Sequence, residues 1–340
     1  MISASIDREW DALALLTRYE RVRRPRPVSV KPQRVFVLSR VTLGADVAIT
    51  SVLLAAAKRR FPHAEIVFAG PHKNYELFAA DRHIHHAPLD YFRGNLRSRV
   101  AAGLELRQLV EASAVAAGLT IVIDPDTRLT QLGLLPVCPE EHYYFFESRS
   151  YGAETDYSLP ELAGQWAAEI LAAKGVKPVL ALGRRARKLA GISVSLGVGD
   201  NPAKRLADPF EIGLLKLLEK TGMPLVIDAG VGGAEADRVK RAVEASGVKA
   251  TVWEGSFAGF ARIIASSRLY VGYDSAGQHV AAAYGVPMVS IFAGFASQRM
   301  FDRWRPRGEL CHVIRVEKPD VAETLERVRE AVITAAAATA

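Results

Sequence analysis

The sequence predicts an α/β protein of two similar halves, each a mostly parallel sheet with helices on its faces. Three observations carry this. The chain has 340 residues, which suits about two domains. Short β-rich runs alternate with helical segments. The alternation starts afresh near residue 176, past Gly175.

Residues 8–24 read as a helix, followed by RRPRPVSVKPQ, whose prolines cannot continue it. Residues 1–33 are thus expected to form a helical and extended arm. The first half, 34–175, opens with the strand RVFVLSR (34–40), the loop VTLGAD, a helix at 47–61 and the strand EIVFAG (65–70). LTIVID (119–124) and YYFFES (143–148) read as further strands, and LPELAGQWAAEILAAKG (159–175) as a helix closed by Gly175. The second half, 176–318, gives strands at 191–197, 224–230, 249–255, 268–274 and 287–294, with helices near 209–221, 234–246, 256–267 and 277–284. A last helix, 319–338, lies in the closing segment 319–340. No short-period repeat is present, so the symmetry is one of architecture.

Hydrophobic residues are 49% and charged residues 24%, enough apolar material for packed cores and against disorder. Cys138 and Cys311 lie far apart, which argues against a disulfide scaffold or a cysteine zinc site and for a reducing compartment. Asp7, Glu9 and Asp11 interrupt any secretory leader. The charge-free run Ser275–Gln298 holds Gln278, His279 and Pro287 and reads as strand and loop, not a membrane span. The net charge of +7 gathers partly in two blocks free of acidic residues, Arg21–Arg40 and Lys174–Lys188. Without an RNA- or DNA-binding motif beside them, these blocks suit anionic small molecules, glycans or a lipid surface better than nucleic acid.

In open parallel sheets, ligands bind beyond the carboxyl ends of the strands, which selects a few loops. In YDSAGQHVAAA (273–283) a helix begins just after a strand. The amides of Ser275, Ala276 and Gly277 could cradle a phosphate, flanked by Asp274 and His279; otherwise Ser275 only caps the helix and His279 packs in the core. GVGDNPAKRLADP (197–209) offers Gly199 for close backbone approach and Lys204 as a charge, or is an ordinary turn with a solvated lysine. DAGVGGAE (228–235) ends in Glu235, a carboxylate able to hold ribose hydroxyls or simply to start a helix. In the first half Asp46 follows a glycine turn at a helix start, as either an N-cap or, if exposed, a general base. Arg40, Asp126 and Arg128 follow strands of the same half and are weaker candidates for the acceptor. The pair in DPD (124–126) and the histidines of HIHH (83–86) lack enough partners for a metal site, so neither a metal nor another cofactor is expected.

Several of these segments together resemble glycosyltransferase family 9, the ADP-heptose:lipopolysaccharide heptosyltransferase group. The match runs over roughly 34–308. RIIASSRLYVGYDSAGQHVAAAYGVPMVSIFAG is its strongest part, with Asp274, Ser275, His279 and Gly285–Pro287 in register. WRPRG (304–308) follows, and LGADVAITSVLLAAAKRRFP supplies Asp46, Thr50, Phe61 and Pro62 at the family's spacing. Lys204 falls at the family's phosphate-binding lysine, Glu235 at its ribose carboxylate, and Gly255 where some relatives place a side chain against adenine.

The resemblance implies a GT-B fold, two Rossmann-like domains with parallel sheets facing a central cleft. It also implies inverting, metal-independent sugar transfer, with the donor in the second half and Asp46 as base. The donor would be a nucleotide-diphosphate sugar, ADP-linked heptose among the candidates. The acceptor would be an anionic cell-envelope glycan or glycolipid, met in the cytoplasm or at the inner face of the inner membrane. Departures from the family pattern are Ala45 inserted between Gly44 and Asp46, Ala276 in place of the motif glycine, and the N-terminal arm. Two other functions fit the same fold: a nucleotide-sugar epimerase, needing no acceptor, and a non-catalytic nucleotide-sugar binding protein.

Overall fold

The computed structural model describes residues 11–92, 94–183, 191–199, 201–230 and 232–337. Two compact units result, Met1–Ala181 and Leu182–Ala340. Residues 184–188 of the second basic block lie outside the described residues.

In the first unit, β1 (Arg34–Leu38), β2 (Glu65–Gly70), β3 (Ile84–Pro88), β4 (Thr120–Asp124) and β5 (Tyr143–Phe145) form a parallel sheet in the order β3-β2-β1-β4-β5. The central strands are apolar along their whole length because helices cover both faces: β4 is buried throughout, and β1 after its first residue. Chain order reverses between β1 and β4, so the loops leaving these strands diverge and open a ligand position beyond their carboxyl ends.

Two elements of this unit were not read from the sequence. Strand β3 lies in HIHHAP, whose histidines are occupied by packing: the His86 ring stacks on Tyr75 at 4.3 Å and its Nε2 lies 2.9 Å from the Gly70 carbonyl oxygen. The helix Leu96–Ala117 is capped by Asn95, which accepts from the Ser98 amide at 3.1 Å. Two predicted boundaries also move. The helix expected to reach Gly175 spans Leu159–Ile170 and turns back at Ala172 (φ 53°), where the Ala173 amide reaches the Ala167 carbonyl at 3.1 Å. The helix expected at 47–61 starts as a short turn, Leu43–Ala45, passes through a five-residue π-turn, Asp46–Thr50, and becomes α-helical only over Ser51–Arg60. A π-turn accommodates one extra residue within a helix, and here it directly follows Ala45, the residue inserted relative to the family pattern.

The arm packs onto this unit rather than extending from it. Its helix is Ala12–Val22. Arg18 is buried, donating to the Gly133 carbonyl at 2.7 Å with its guanidinium 4.7 Å from the Tyr143 ring centre. Arg26 lies over Tyr144, and the Val28 amide bonds the Ile170 carbonyl at 2.9 Å.

The second unit contains β6 (Ile192–Ser195), β7 (Leu225–Asp228), β8 (Ala250–Trp253), β9 (Leu269–Tyr273), β10 (Met288–Phe292) and β11 (Cys311–Arg315), all parallel, in the order β11-β10-β9-β6-β7-β8. Its switch point lies between β6 and β9. Leu214 and Leu218 of the helix Asp208–Glu219 pack with Val328 and Val332 of Val321–Ala337 in the core of this sheet. Strand β11 and the helix Gln298–Trp304 were also absent from the sequence reading.

Candidate active site

At the switch point of the first unit the loop after β1 carries Asp46, which is fully buried. Four donors converge on its carboxylate: Ser39 Oγ at 2.6 Å, the Arg40 amide at 2.7 Å, Thr50 Oγ1 at 2.5 Å and Asn74 Nδ2 at 2.5 Å. The N-cap alternative does not hold, because the Asp46 carboxylate takes no amide of its own helix: its donors are Ser39 and the Arg40 amide after β1, Asn74 after β2, and the Thr50 hydroxyl one turn on in the same helix. The exposed general base also requires correction: no part of this carboxylate reaches solvent. Burial raises its pKa, opposed by the four hydrogen bonds.

Beside it, Asp124 closes β4 and is satisfied internally by the Thr127 amide at 2.8 Å and by the Thr130 and Tyr143 hydroxyls. Asp126 stands at φ 68° and Val41 at φ 59°, a conformation that costs a β-branched residue energy. The two strained residues lie on the loops leaving the two strands of the switch point. Asp126 accepts from Ser148 Oγ at 3.0 Å and Arg149 Nη1 at 2.7 Å. Burial pushes its carboxyl up to about 6, against the pull of Arg40 and Arg149. Arg40 is half-buried and donates to Ser148 Oγ at 2.6 Å, whereas the Arg128 side chain is exposed and outside this network.

In the second unit, Lys204 reaches from the loop after β6 to Asp274 at the end of β9, making an ion pair of 2.6 Å and donating to the Asp274 carbonyl at 3.0 Å. The other carboxylate oxygen accepts from Gln278, whose own oxygen accepts from Ser290 Oγ at 2.5 Å. The Lys204 loop is held from behind. Arg205 and Arg238 both bond the buried Glu211, and the Leu206 amide donates to the Tyr273 hydroxyl at 3.3 Å. Backbone closeness matters at Gly294 (φ 64°), where a β-carbon would lie 2.4 Å from the Ala203 backbone.

The helix Ala276–Tyr284 begins beside this ion pair, with the half-buried Ser275 and Ala276 at its N-terminus. Two site readings change here. A β-carbon on Gly277 would fall 2.4 Å from the Tyr270 hydroxyl, and one on Gly255 2.4 Å from Trp253 Cζ2. Both glycines make room for buried or folded-over aromatic rings. His279 is buried against Trp304, at 5.8 Å between rings, and burial pushes its pKa down to about 3. It is neutral, so it offers a diphosphate no charge.

Glu235 lies over Gly197 and Gly230 and accepts from the Val198 amide at 3.4 Å. Near it, Asp228 is pushed up to about 6 by burial and by the Glu235 charge. Gly199 is at φ 58° with nothing within 4 Å of a β-carbon, leaving its backbone open. Among the described residues no group of three or more histidine, cysteine or acidic side chains is placed to hold a metal, and no helix is long and apolar enough to cross a membrane.

Sequence reasoning missed Ser39, Asn74 and Ser148, and gave no role to Gln278 and Trp253, which lie in loops it selected. For Gln278 a signal existed: it lies four residues after Asp274, as Thr50 lies four after Asp46, so each donor returns one turn later to its aspartate. Asn74, far along the chain, gave none.

Residues 213–328, about a third of the chain, match the model of glycosyltransferase family 9 (heptosyltransferase). Three solved structures share the fold. A family 9 glycosyl transferase from Veillonella parvula has TM-score 0.67 and 16% identity, covering 92% of this chain and 99% of its own. Escherichia coli heptosyltransferase WaaC with ADP-2-deoxy-2-fluoro heptose has TM-score 0.64 and 17% identity, covering 88% and 99%. E. coli ADP-heptose lps heptosyltransferase II has TM-score 0.62 and 18% identity, covering 90% and 99%. No curated protein matches the chain.

Proposed function

We propose that this chain, a family 9 glycosyltransferase by the sequence of its second unit and of GT-B fold throughout, moves a sugar from a nucleotide diphosphate to a glycan acceptor with inversion and without a metal. The observation that carries the reading is the Lys204–Asp274 pair at the switch point of the second unit. A lysine held in place beside a helix N-terminus is poised for a diphosphate. On donor binding Lys204 turns from Asp274 to the phosphates, the amides of Ser275–Gly277 share the leaving charge, and the released Asp274 carboxylate accepts from sugar hydroxyls. Glu235 takes the ribose diol. The WaaC structure with an ADP-heptose analogue supports an ADP-linked heptose as the first donor to try.

In the transfer itself, the acceptor oxygen attacks the anomeric carbon, the bond from that carbon to the diphosphate oxygen breaks, and the acceptor proton passes to a carboxylate of the first unit. Asp46 is the first assignment. Its buried carboxyl holds a proton more tightly than an exposed one, and one of its four donors must give way for the acceptor to reach it. Asp126 is a second candidate, because its pKa of about 6 lies near the range a general base needs.

Two measurements test the reading. A thermal-shift panel should show stabilisation by ADP and by ADP-linked sugars, since a ligand bound only by the folded state at 100 times its Kd adds about 2.7 kcal/mol; a flat panel across all nucleotide diphosphates sinks the donor site. Asp46→Asn should lower transfer by about 10²- to 10⁴-fold with nucleotide binding unchanged. If Asp46→Asn transfers normally and Asp126→Asn does not, the base is Asp126.

A further inference from the structure

A cavity of about 330 Å³ lies between the arm and the body of the first unit, with Glu20, Arg23, Arg24, Glu147, Tyr151 and Trp166 in its wall. None of these residues belongs to the site described above, and the arginines come from the arm, which lies outside the family resemblance. Most of the arm's basic residues are spent internally. Arg21 pairs with Glu140 at 2.6 Å, Arg23 with Glu147 at 3.1 Å, and Arg26 donates to the Tyr143 carbonyl at 3.0 Å. Arg24 differs: it is exposed at the cavity, and its guanidinium makes no bond among the described residues.

A second group in the wall lacks a partner. The indole N–H of Trp166 is buried and bonds nothing among the described residues, although a buried donor is normally satisfied. The volume is at the small end of ligand pockets. It suits one pyranose ring with its substituents, and the partly exposed Tyr151 ring in the wall suits the apolar face of such a ring. The position is informative too. Glu147 in the wall precedes Ser148, which bonds both Asp126 and Arg40, so one short stretch of chain serves both the cavity and the switch-point network.

We propose that this cavity binds one sugar residue of the acceptor, a sugar carrying an oxyanion. The Arg24 guanidinium grips a carboxylate or phosphate, as its planar fork allows, and the Trp166 indole donates to a ring or hydroxyl oxygen. The assignment rests on the proposed transfer reaction for the word acceptor, but not for the binding itself.

The test uses the full chain labelled with ¹⁵N, following the indole N–H of Trp166, assigned through Trp166→Phe. Glucuronate, glucose 6-phosphate and glucose are titrated separately. The two anionic sugars should shift this resonance with saturation, and the preference between them identifies the carboxylate or the phosphate as the recognised group; glucose should bind at least fivefold more weakly. Arg24→Ala and Arg24→Glu, both at an exposed position, should weaken anionic-sugar binding at least fivefold and leave the ADP thermal shift unchanged. The proposal is overturned if none of the sugars moves the Trp166 resonance, if glucose binds as well as its anionic relatives, or if the Arg24 variants bind them normally. Vesicles of phosphatidylglycerol form the last arm: capture that needs Arg24, with no sugar response, assigns the surface to a membrane instead. A flat ADP response with intact sugar binding would count against the transfer reaction and not against this site.

Discussion

Asp46 and Asp274 are buried aspartates beyond the carboxyl ends of central strands in units of the same doubly wound topology, and their surroundings differ in kind. Asp46 receives four neutral donors and makes no ion pair among the described residues. Asp274 receives one neutral side-chain donor, Gln278, and the Lys204 ammonium. Neutral donors fix a carboxylate's orientation while leaving its charge in place. A lysine cancels that charge, and it can be lent to an anionic ligand, which then exchanges one ion pair for another at little desolvation cost. The first arrangement suits a group that must take up a proton, the second a group that must hand over a cation.

The largest expected effect breaks the comparison directly. Lys204→Ala leaves Asp274 buried and unpaired, and losing one member of a buried pair costs about 3–5 kcal/mol. Asn74→Ala removes one of four donors to Asp46, for about 1.5–3 kcal/mol. Amide hydrogen exchange assigns each loss to its unit: β6 and β9 should lose protection in the first variant, β1 and β2 in the second. Equal losses would mean that the lysine is no more than another donor.

A smaller effect separates Asp126 from Asp46. Asp126 has a folded pKa near 6, above its ordinary value of 3.8. Between those values the folded chain keeps a proton that the unfolded chain has released, so stability is highest below pH 4 and falls as pH rises towards 6. For a rise of about two pKa units the fall is at most about 3 kcal/mol. Asp126→Asn should flatten this part of the curve, measured as unfolding free energy from pH 4 to 7; an unchanged slope would show that Arg40 and Arg149 already hold the carboxylate ionised.

How far these features could be read in advance follows from how local they are. The apolar runs of β1, β4 and β9 and the turns after them are local, and they led to the loops that carry Asp46 and Asp274. Lys204 was found as the charge in the glycine loop after β6, and the family's spacing agreed with it. What escaped depends on tertiary contact. HIHHAP looks like a cluster of ligands until Tyr75 is seen stacked on His86, and nothing near Asn74 in the chain announces that its amide reaches Asp46. The basic arm read as a surplus of charge seeking a partner, yet most of its arginines answer glutamates and carbonyls around β5. Gly255, placed by the resemblance against adenine, and Gly277, placed among the phosphate-cradling amides, gave no sign of Trp253 or Tyr270, because a sequence gives the missing side chain and not the ring that fills its place.

That last difference yields the smallest and sharpest prediction, within the second unit alone. Gly277 is bare because the Tyr270 hydroxyl occupies the space, whereas Gly199 is bare because its backbone is left-handed with open space above it. Gly277→Ala should therefore cost about 1–3 kcal/mol through overpacking of a buried ring. Replacing Tyr270 by Phe removes the hydroxyl and should recover much of that loss, a coupling measurable in a double-mutant cycle. Gly199→Ala should cost only about 1–2 kcal/mol, the penalty of a β-carbon at positive φ, with no rescue from Tyr270→Phe. Its effect should appear instead in nucleotide affinity, since a methyl group there projects into the space a diphosphate would use. If Gly199→Ala binds ADP as the parent does, the backbone after β6 is not part of the donor site, and Lys204 reaches the phosphates without it.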